Sequence, residues 1–192
     1  MRFVFFIVLL FLTACQSNAA EKMKTVDMYN VSGDMIGTVA LSEQADGIQV
    51  KVKLEGLEPG FHGFHVHEYP ICEAPDFTTA GNHYNPEGKE HGLMHPEGPH
   101  LGDLPNLEAD AGGLVDAELM LAGATLMEGK NSLLKEDGTS FIIQEGPDDG
   151  LTQPGGGGGP RIVCGELKTN PEEGKNEESP TDPTEFNEDQ EE

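Results

Sequence analysis

A two-residue alternation of apolar and polar side chains constrains the fold of this chain more than any other feature. In one segment the apolar positions are Ile48, Val50, Val52 and Leu54. In a second segment they are Val115, Ala117, Leu119 and Leu121. Because successive side chains of a strand point to opposite faces, each segment predicts a half-buried antiparallel strand. No stretch of useful length has the period of a helix.

Shorter strand candidates are separated by turn-forming clusters. They cover residues 24–30, 35–43, 63–69, 103–109, 139–145 and 161–168. The 25 Gly and 13 Pro residues also favour a loop-rich β protein. The sequence therefore predicts an all-β domain, an eight-stranded Greek-key barrel or immunoglobulin-like sandwich, over residues 24–168. The intervals 70–102 and 146–160 are predicted to be long functional loops.

The first residues have the composition of an export signal. Residues 1–14 contain one Arg, an apolar stretch and small residues before Cys15. This run is too short for a spanning helix and predicts a signal peptide. The letters LTAC at 12–15 resemble a bacterial lipobox. We therefore expect a lipid on Cys15 and a tether over 15–23, which would hold the protein at the extracellular or periplasmic side of the cell membrane. A plain signal peptide with a chance cysteine is the alternative.

Lipidation of Cys15 would leave Cys72 and Cys164 as a pair. Exported proteins meet an oxidising compartment, so a disulfide between these two residues is expected. Two free buried thiols are the alternative.

Acidic residues outnumber basic ones by 35 to 11, which gives a formal net charge of −24. Nucleic acid is therefore not an expected partner. Residues 169–192 contain ten acidic residues and one Lys, a composition that predicts a disordered acidic tail.

The seven histidines all lie between His62 and His100. His65 and His67 are two apart on a predicted strand, so their imidazoles share a face and form a candidate metal site. A chance pair on an exposed strand is the alternative. A second group has the donors of a tetrahedral zinc site and consists of His83, His91, His100 and Asp103. A solvated polar loop is the alternative for this group.

Five sequence blocks together resemble the bacterial branch of the copper/zinc superoxide dismutase family. In order they are GFHGFHVHE, AGNHYNP, HGLMHPEGPHLGDLPN, EGPDDGLTQP and GPRIVCG. The resemblance covers residues 24–168. It implies the Greek-key fold of that family and the conversion of superoxide to O₂ and H₂O₂ at a copper site bridged to zinc.

The resemblance also implies roles for individual residues. The implied copper ligands are His65, His67 and His83, and the implied zinc ligands are His83, His91, His100 and Asp103. His83 would bridge the two metals and deliver a proton. Cys72 and Cys164 match the family disulfide, Asp148 matches the carboxylate that ties copper-side to zinc-side histidines, and Arg161 matches the arginine at the mouth of the copper channel. His62 resembles a structural histidine that tethers strands.

One position departs from the family pattern. The fourth copper ligand of the family is a His, and this position is Gln144 here. An amide oxygen is a harder and weaker donor to Cu(I) than an imidazole, so weakened copper binding is expected. His95, which lies between two implied zinc ligands, is a candidate replacement and has no other assigned role. The five glycines at 155–159 are expected to loosen the channel wall.

Two functions are compatible with this sequence. The first is a superoxide dismutase whose activity is reduced or lost. The second is a zinc-stabilised, catalytically poor dismutase-like protein that binds copper or acts at the cell surface. A cupin-like barrel with a His-x-His metal site is the alternative from another fold family, and it leaves the paired cysteines and the zinc group unexplained. The sequence leaves open whether the protein is a homodimer.

Overall fold

The computed structural model describes residues 22–169, which form nine β-strands and no α-helix. The strands are β1 (Met23–Asn30), β2 (Met35–Gln44), β3 (Gly47–Leu54), β4 (Gly60–His62), β5 (Phe64–His67), β6 (Leu107–Ala109), β7 (Val115–Ala122), β8 (Gly138–Gln144) and β9 (Arg161–Lys168). A short 3₁₀ helix, η1, spans Thr78–Ala80. The predicted all-β class is confirmed.

Seven of these strands form one antiparallel sheet in the order β5-β8-β9-β1-β2-β3-β7, and β4 pairs with β6 in a second sheet. The predicted alternation is confirmed on β3, where Val50 and Val52 are buried and Lys51 and Lys53 are exposed. The exposed Lys51 pairs with Glu118 of β7 at 3.6 Å. The inward apolar side chains of both ends of the sheet meet in one core, because the sheet is curled.

The strand predicted at 63–69 is shorter in the structure, where it is β5, and a separate strand, β4, precedes it. Residues 60–62 pair with β6, whereas residues 64–67 pair with β8, so the chain changes sheets at Gly63. The predicted strand at 103–109 is likewise only Leu107–Ala109. Asp103 lies outside it, because its carboxylate accepts main-chain N–H groups from the loop before it. The eight-strand prediction therefore misses β4.

The two predicted long loops are confirmed, since residues 68–106 and 145–160 contain no strand and only the short helix η1. The first loop covers the outer edge of β5, where His67 bridges to His83 and His65 to Asp103 through the main chain. The Val66 N–H donates to the Gly102 carbonyl, and the Tyr84 N–H donates to the Val66 carbonyl. These main-chain contacts bring loop residues against the two strand histidines.

The predicted disulfide between Cys72 and Cys164 is present and joins the first loop to β9, with the two Cα atoms 5.7 Å apart. The carboxylate of Glu166 accepts a hydrogen bond from the Cys72 N–H at 2.9 Å. The cross-link fixes the loop that leads to η1 against the sheet.

The predicted signal at 1–14, the lipid on Cys15 and nearly all of the tail at 169–192 lie outside the described residues. Of the predicted tether at 15–23, the structure describes residues 22 and 23, and β1 begins at Met23. Across residues 22–169, no helix has the length and apolar character needed to cross a membrane.

Candidate metal centre

Three imidazoles converge at the edge of β5. His65 and His67 come from the strand, and His83 comes from the first loop. The His83 ring stacks on the His65 ring, with centroids 4.0 Å apart, and meets the His67 ring edge-on at 4.9 Å. One ring nitrogen of each residue lies within 4.8 Å of the others. The structure therefore brings together the three histidines that the family resemblance assigns to copper.

Each strand histidine has one ring nitrogen fixed and one without a partner. His65 Nε2 donates to the Asp148 carboxylate at 2.7 Å, and His67 Nδ1 donates to the Gly81 carbonyl at 3.0 Å. The opposite nitrogens, His65 Nδ1 and His67 Nε2, are buried and have no hydrogen-bond partner. A neutral imidazole that donates from one nitrogen can only accept at the other. Two orphaned acceptors beside a third imidazole are what a metal ion would satisfy.

The second group of donors assembles around the carboxylate of Asp103. Its Oδ1 lies 2.8 Å from His83 Nδ1, 3.1 Å from His91 Nδ1 and 3.4 Å from His100 Nδ1. Its Oδ2 accepts the main-chain N–H groups of Gly92 and His100. The four donor atoms lie within 4.8 Å of one another. Three imidazoles and one carboxylate in this arrangement have the chemistry and number of a tetrahedral zinc site.

Asp148 connects the two groups. Its carboxylate accepts from His65 Nε2 at 2.7 Å and lies 3.1 Å from His91 Nε2. Its main chain is held by Asn106, whose amide donates to the Asp148 carbonyl at 2.8 Å and accepts from the Asp148 N–H at 2.9 Å. Asp148 therefore lies where the sequence expectation puts it, and Asn106, which sequence reasoning did not assign a role, sets its position.

The local electrostatics favour the protonation states that bind metal. Burial lowers the pKa of His67 well below its ordinary value, and the neighbouring His83 lowers it further. Burial also lowers the pKa of His83 to about 4, although the hydrogen bond to Asp103 opposes this shift. Both rings are therefore neutral near pH 7 in the metal-free protein, and no proton has to be displaced from the accepting nitrogens.

The carboxylates are ionised for a related reason. Burial raises the pKa of Asp103, but the adjacent His100, the hydrogen bond from His83 and the Gly92 N–H together hold this pKa far below its usual range. At Asp148, the hydrogen bonds from His65 and from the Gly150 N–H likewise outweigh burial and lower the pKa. Fixed negative charges thus lie within both groups of donors, an arrangement that favours a bound cation.

Arg161, at the start of β9, lines the cavity that also exposes His67 and His83. Its guanidinium donates to the Phe77 carbonyl at 2.7 Å and to the Gly81 carbonyl at 2.8 Å. Gly81 also accepts from His67, so one carbonyl positions both the cation and an imidazole. The disulfide-bonded loop therefore determines where the positive charge lies.

Gln144 ends β8 opposite Arg161 and lines the same cavity. Its Oε1 is buried without a hydrogen-bond partner. A Cβ added at Gly63 or at Gly158 would collide with this oxygen, and the one at Gly63 would lie 3.2 Å from His65 Cε1. The absence of a side chain at these two glycines therefore leaves room for the amide beside the His65 ring.

The glycines at 155–159, here called the channel wall, pack against the centre. A Cβ at Gly155 would lie 3.2 Å from His83 Nε2, and one at Gly156 would overlap the Asp148 carboxylate. Gly156 also has φ +72°, which side chains rarely adopt. These glycines allow close approach of the main chain to functional groups, a role the sequence expectation of a loosened wall did not include.

Two other histidines lie outside both donor groups. The ring of His62 lies between the carbonyls of Gln144 and Glu58, at 2.9 and 2.8 Å, and tethers the end of β8 to the turn before β4. His95 Nδ1 accepts the Glu97 N–H at 3.2 Å within the first loop. His95 therefore does not fill the fourth position beside His65, His67 and His83.

Comparison with known proteins agrees with this geometry. Residues 35–167 match the family model described as copper/zinc superoxide dismutase. The chain is 43% identical over 152 residues to superoxide dismutase [Cu-Zn] 1 of Aquifex aeolicus, covering 78% of this chain and 90% of that protein. It is 44% identical over 150 residues to the superoxide dismutase-like protein YojM of Bacillus subtilis, covering 77% of this chain and 76% of that protein.

Solved structures of similar proteins match the fold. A crystal structure of a superoxide dismutase-like protein from Bacillus subtilis matches with a TM-score of 0.74 and 41% identity, over 77% of this chain and 99% of the other. The predicted Greek-key barrel is thereby confirmed, and the cupin-like alternative is wrong. The convergent histidines, the carboxylate-centred donor group, the disulfide and these matches lead to one conclusion. The chain belongs to the copper/zinc superoxide dismutase family.

Proposed function

We propose that this protein converts superoxide to O₂ and H₂O₂, with copper held by His65, His67 and His83 and zinc held by His83, His91, His100 and Asp103. One observation carries the proposal. The two orphaned nitrogens on β5 lie beside a third imidazole, His83, whose other nitrogen already belongs to a complete zinc-type donor group. The residues present thus fit both metals of the family.

Copper bound at this set would supply the one-electron chemistry, in which one superoxide is oxidised to O₂ and a second is reduced. The protein must then admit a small anion and supply protons. Two superoxide ions and two protons give one O₂ and one H₂O₂, so charge and atoms balance.

Arg161 binds and orients the anion. The chain carries 35 acidic and 11 basic side chains, so the protein as a whole repels superoxide. Screening limits the reach of any one charge to roughly 8–10 Å in physiological salt. Because two carbonyls fix the guanidinium beside His67, its charge acts where the anion must arrive.

His83 holds and moves a proton at Nε2. Its Nδ1 is directed to the zinc group, and the ring itself lines the cavity. Burial keeps the free ring neutral near pH 7, with a pKa of about 4. Because Nδ1 is directed to the zinc group, Nε2 is the ring nitrogen on the cavity side, and a proton held there would be passed on to the product.

Gln144 favours a second candidate function, a zinc-stabilised protein that binds copper with little catalysis. We assign Gln144 to the altered fourth copper position, since its unpartnered Oε1 lies beside the His65 ring. An amide oxygen supports Cu(I) poorly, so copper retention and turnover should both be weakened.

The proposal is tested by removing a ligand that belongs to the copper set alone. In the full chain reconstituted with both metals, His67→Asn should lose copper and dismutation and keep one zinc, measured by elemental analysis and a superoxide decay assay. His95→Asn is the matched control and should keep both metals and the activity. Unchanged turnover in His67→Asn would exclude the assigned copper set.

We also propose export and lipid anchoring through Cys15, with residues 1–14 as the signal. The disulfide between Cys72 and Cys164 supports an oxidising compartment. In cells, Cys15→Ser should move the protein from the membrane fraction to the soluble fraction. A wild-type protein that carries no acyl chain by mass spectrometry contradicts this assignment.

A further inference from the structure

Gln153 pairs with both main-chain groups of His91. Its Oε1 accepts the His91 N–H at 2.9 Å, and its Nε2 donates to the His91 carbonyl at 2.9 Å. The same Nε2 also donates to the Leu151 carbonyl at 3.1 Å. An amide is suited to this pairing because it offers one acceptor and one donor side by side. A carboxylate or an apolar side chain of the same length lacks one or both.

His91 is the most enclosed member of the zinc group. Its side chain is fully buried, and its two ring nitrogens lie 3.1 Å from Asp103 and 3.1 Å from Asp148. A shift in the His91 main chain must therefore move a ring that contacts both carboxylates. The Gln153 amide holds that main chain from the opposite loop, 62 residues away in sequence.

Gln153 also lies two residues before the channel wall. Gly155 approaches His83 Nε2, and Gly158 approaches the buried Oε1 of Gln144. Gln153, Gly155 and Arg161 line the same cavity. Gln153 is therefore one of the points that fix the chain as it enters the wall, beside main-chain bonds such as that from the Gly156 N–H to the Thr152 carbonyl at 2.7 Å.

We propose that Gln153 is a positioning residue that couples the channel wall to His91, so that zinc at the four-residue group holds the wall in place over His83. The inference rests on the proposed zinc ligands. It assigns to Gln153 a link separate from that of Asp148, because Asp148 reaches the ring of His91 and Gln153 reaches its main chain.

Main-chain contacts alone are an alternative explanation for a coupling between zinc and the channel wall. The main chains of Gly92 and Gly150 approach closely, and the Met94 N–H donates to the Gly150 carbonyl at 3.2 Å. If these contacts alone transmit the effect of zinc to residues 155–159, Gln153 will be dispensable. The experiment must therefore measure how far protection of the wall depends on zinc, rather than stability alone.

The test uses full-length protein with and without one equivalent of zinc and follows amide hydrogen exchange in peptides that contain residues 155–159. Gln153→Met removes both hydrogen bonds to His91, together with the one to Leu151, and keeps a side chain of similar size. Gln49→Met is the matched control, since the Gln49 side chain donates to an exposed Glu118 on the outside of the barrel. Elemental analysis measures zinc in every sample.

Zinc should slow exchange at the wall by roughly tenfold or more in the wild type and in Gln49→Met, the scale expected for two net hydrogen bonds. In Gln153→Met, which should still bind one zinc, the slowing should fall below about twofold. Equal zinc-dependent protection in wild type and Gln153→Met overturns the inference. The inference is also overturned if Gln153→Met exchanges faster than wild type by the same factor with and without zinc, because the substitution then loosens the wall independently of zinc. A wild type that binds no zinc overturns this inference and the proposed zinc site together.

Discussion

Replacing Gln144 with His would place an imidazole at the position that we assign to the altered fourth copper ligand. The main chain there is anchored on both sides, because its N–H donates to the Gly63 carbonyl and its carbonyl faces the His62 ring, both at 2.9 Å. Gly63 and Gly158 leave the space beside the side chain free of Cβ atoms. Gln144→His should therefore exchange a weak oxygen donor for a strong nitrogen donor without moving the strand.

The size of the effect on copper affinity and turnover depends on how many imidazole ligands the copper has. If His83 stays with zinc when the copper is reduced, Cu(I) would have only His65 and His67 as imidazole ligands, so the missing ligand should matter most in the reduced state. If one imidazole contributes about 1.4 kcal/mol or more, Gln144→His should raise copper affinity and turnover at least about tenfold. It should also raise the reduction potential of the bound copper.

Gln144→Leu is the matched variant that removes the donor. An unpartnered buried carbonyl costs on the order of 1–3 kcal/mol, so the metal-free Leu variant should be more stable than wild type by about that amount. Its copper affinity should be lower, because the oxygen is gone. Competition with a copper chelator gives the copper affinity, urea unfolding gives the stability, and a superoxide decay assay gives the turnover.

The reasoning is refuted if Gln144→His leaves copper affinity and turnover unchanged. In that case the site was never limited by its fourth ligand, and the assignment of a weakened copper half must be dropped. Copper affinity and turnover are also measured for His95→Asn in the wild-type background, and values equal to wild type exclude His95 as a replacement ligand.

Three further predictions concern zinc, pH and the cross-link. Asp103→Ala should lose most of the zinc and lower the melting temperature, since metal binding here contributes to folding; retention of zinc in elemental analysis would show that the ligand set is wrong. In the metal-free protein, the free energy of unfolding should fall by on the order of 3 kcal/mol between pH 6.5 and pH 4, because the unfolded chain protonates at His83 before the folded chain, whose pKa there is about 4. In urea titrations at these pH values, this fall in the free energy of unfolding should be absent in His83→Asn and present in His95→Asn. Cys72→Ala should cost about 4–5 kcal/mol by the loop-entropy model for a separation of 92 residues, and the same loss on reduction of the wild type would attribute it to the bond with Cys164.

Most of the strands could be predicted from the sequence because the sheet has one solvent-exposed face and one buried face. The alternation on β3 and β7 marks that asymmetry directly. The change of sheet at Gly63 could not be predicted, because β4 and β5 are contiguous in sequence and both contain His and Phe. Only their different partners, β6 and β8, separate them.

The members of both donor groups could be predicted from residue type and from the family resemblance. The supporting amides could not, because Asn106 and Gln153 contact main-chain groups of distant residues, and such contacts leave no pattern in sequence. The close approach of the glycine run to the centre could not be predicted either. Glycine gives both flexibility and close approach, and only the positions of Gly155 and Gly156 against His83 and Asp148 distinguish these roles.

The central claim is tested most directly by measuring bound copper, bound zinc and dismutation on the same preparation while copper is added in steps. Superoxide decay should rise in proportion to bound copper, with zinc constant at one per chain and free copper removed before each assay. Saturation should require excess copper, because we assign the fourth copper position to Gln144. Full occupancy of the copper set without turnover, or turnover that does not depend on bound copper, would contradict the account.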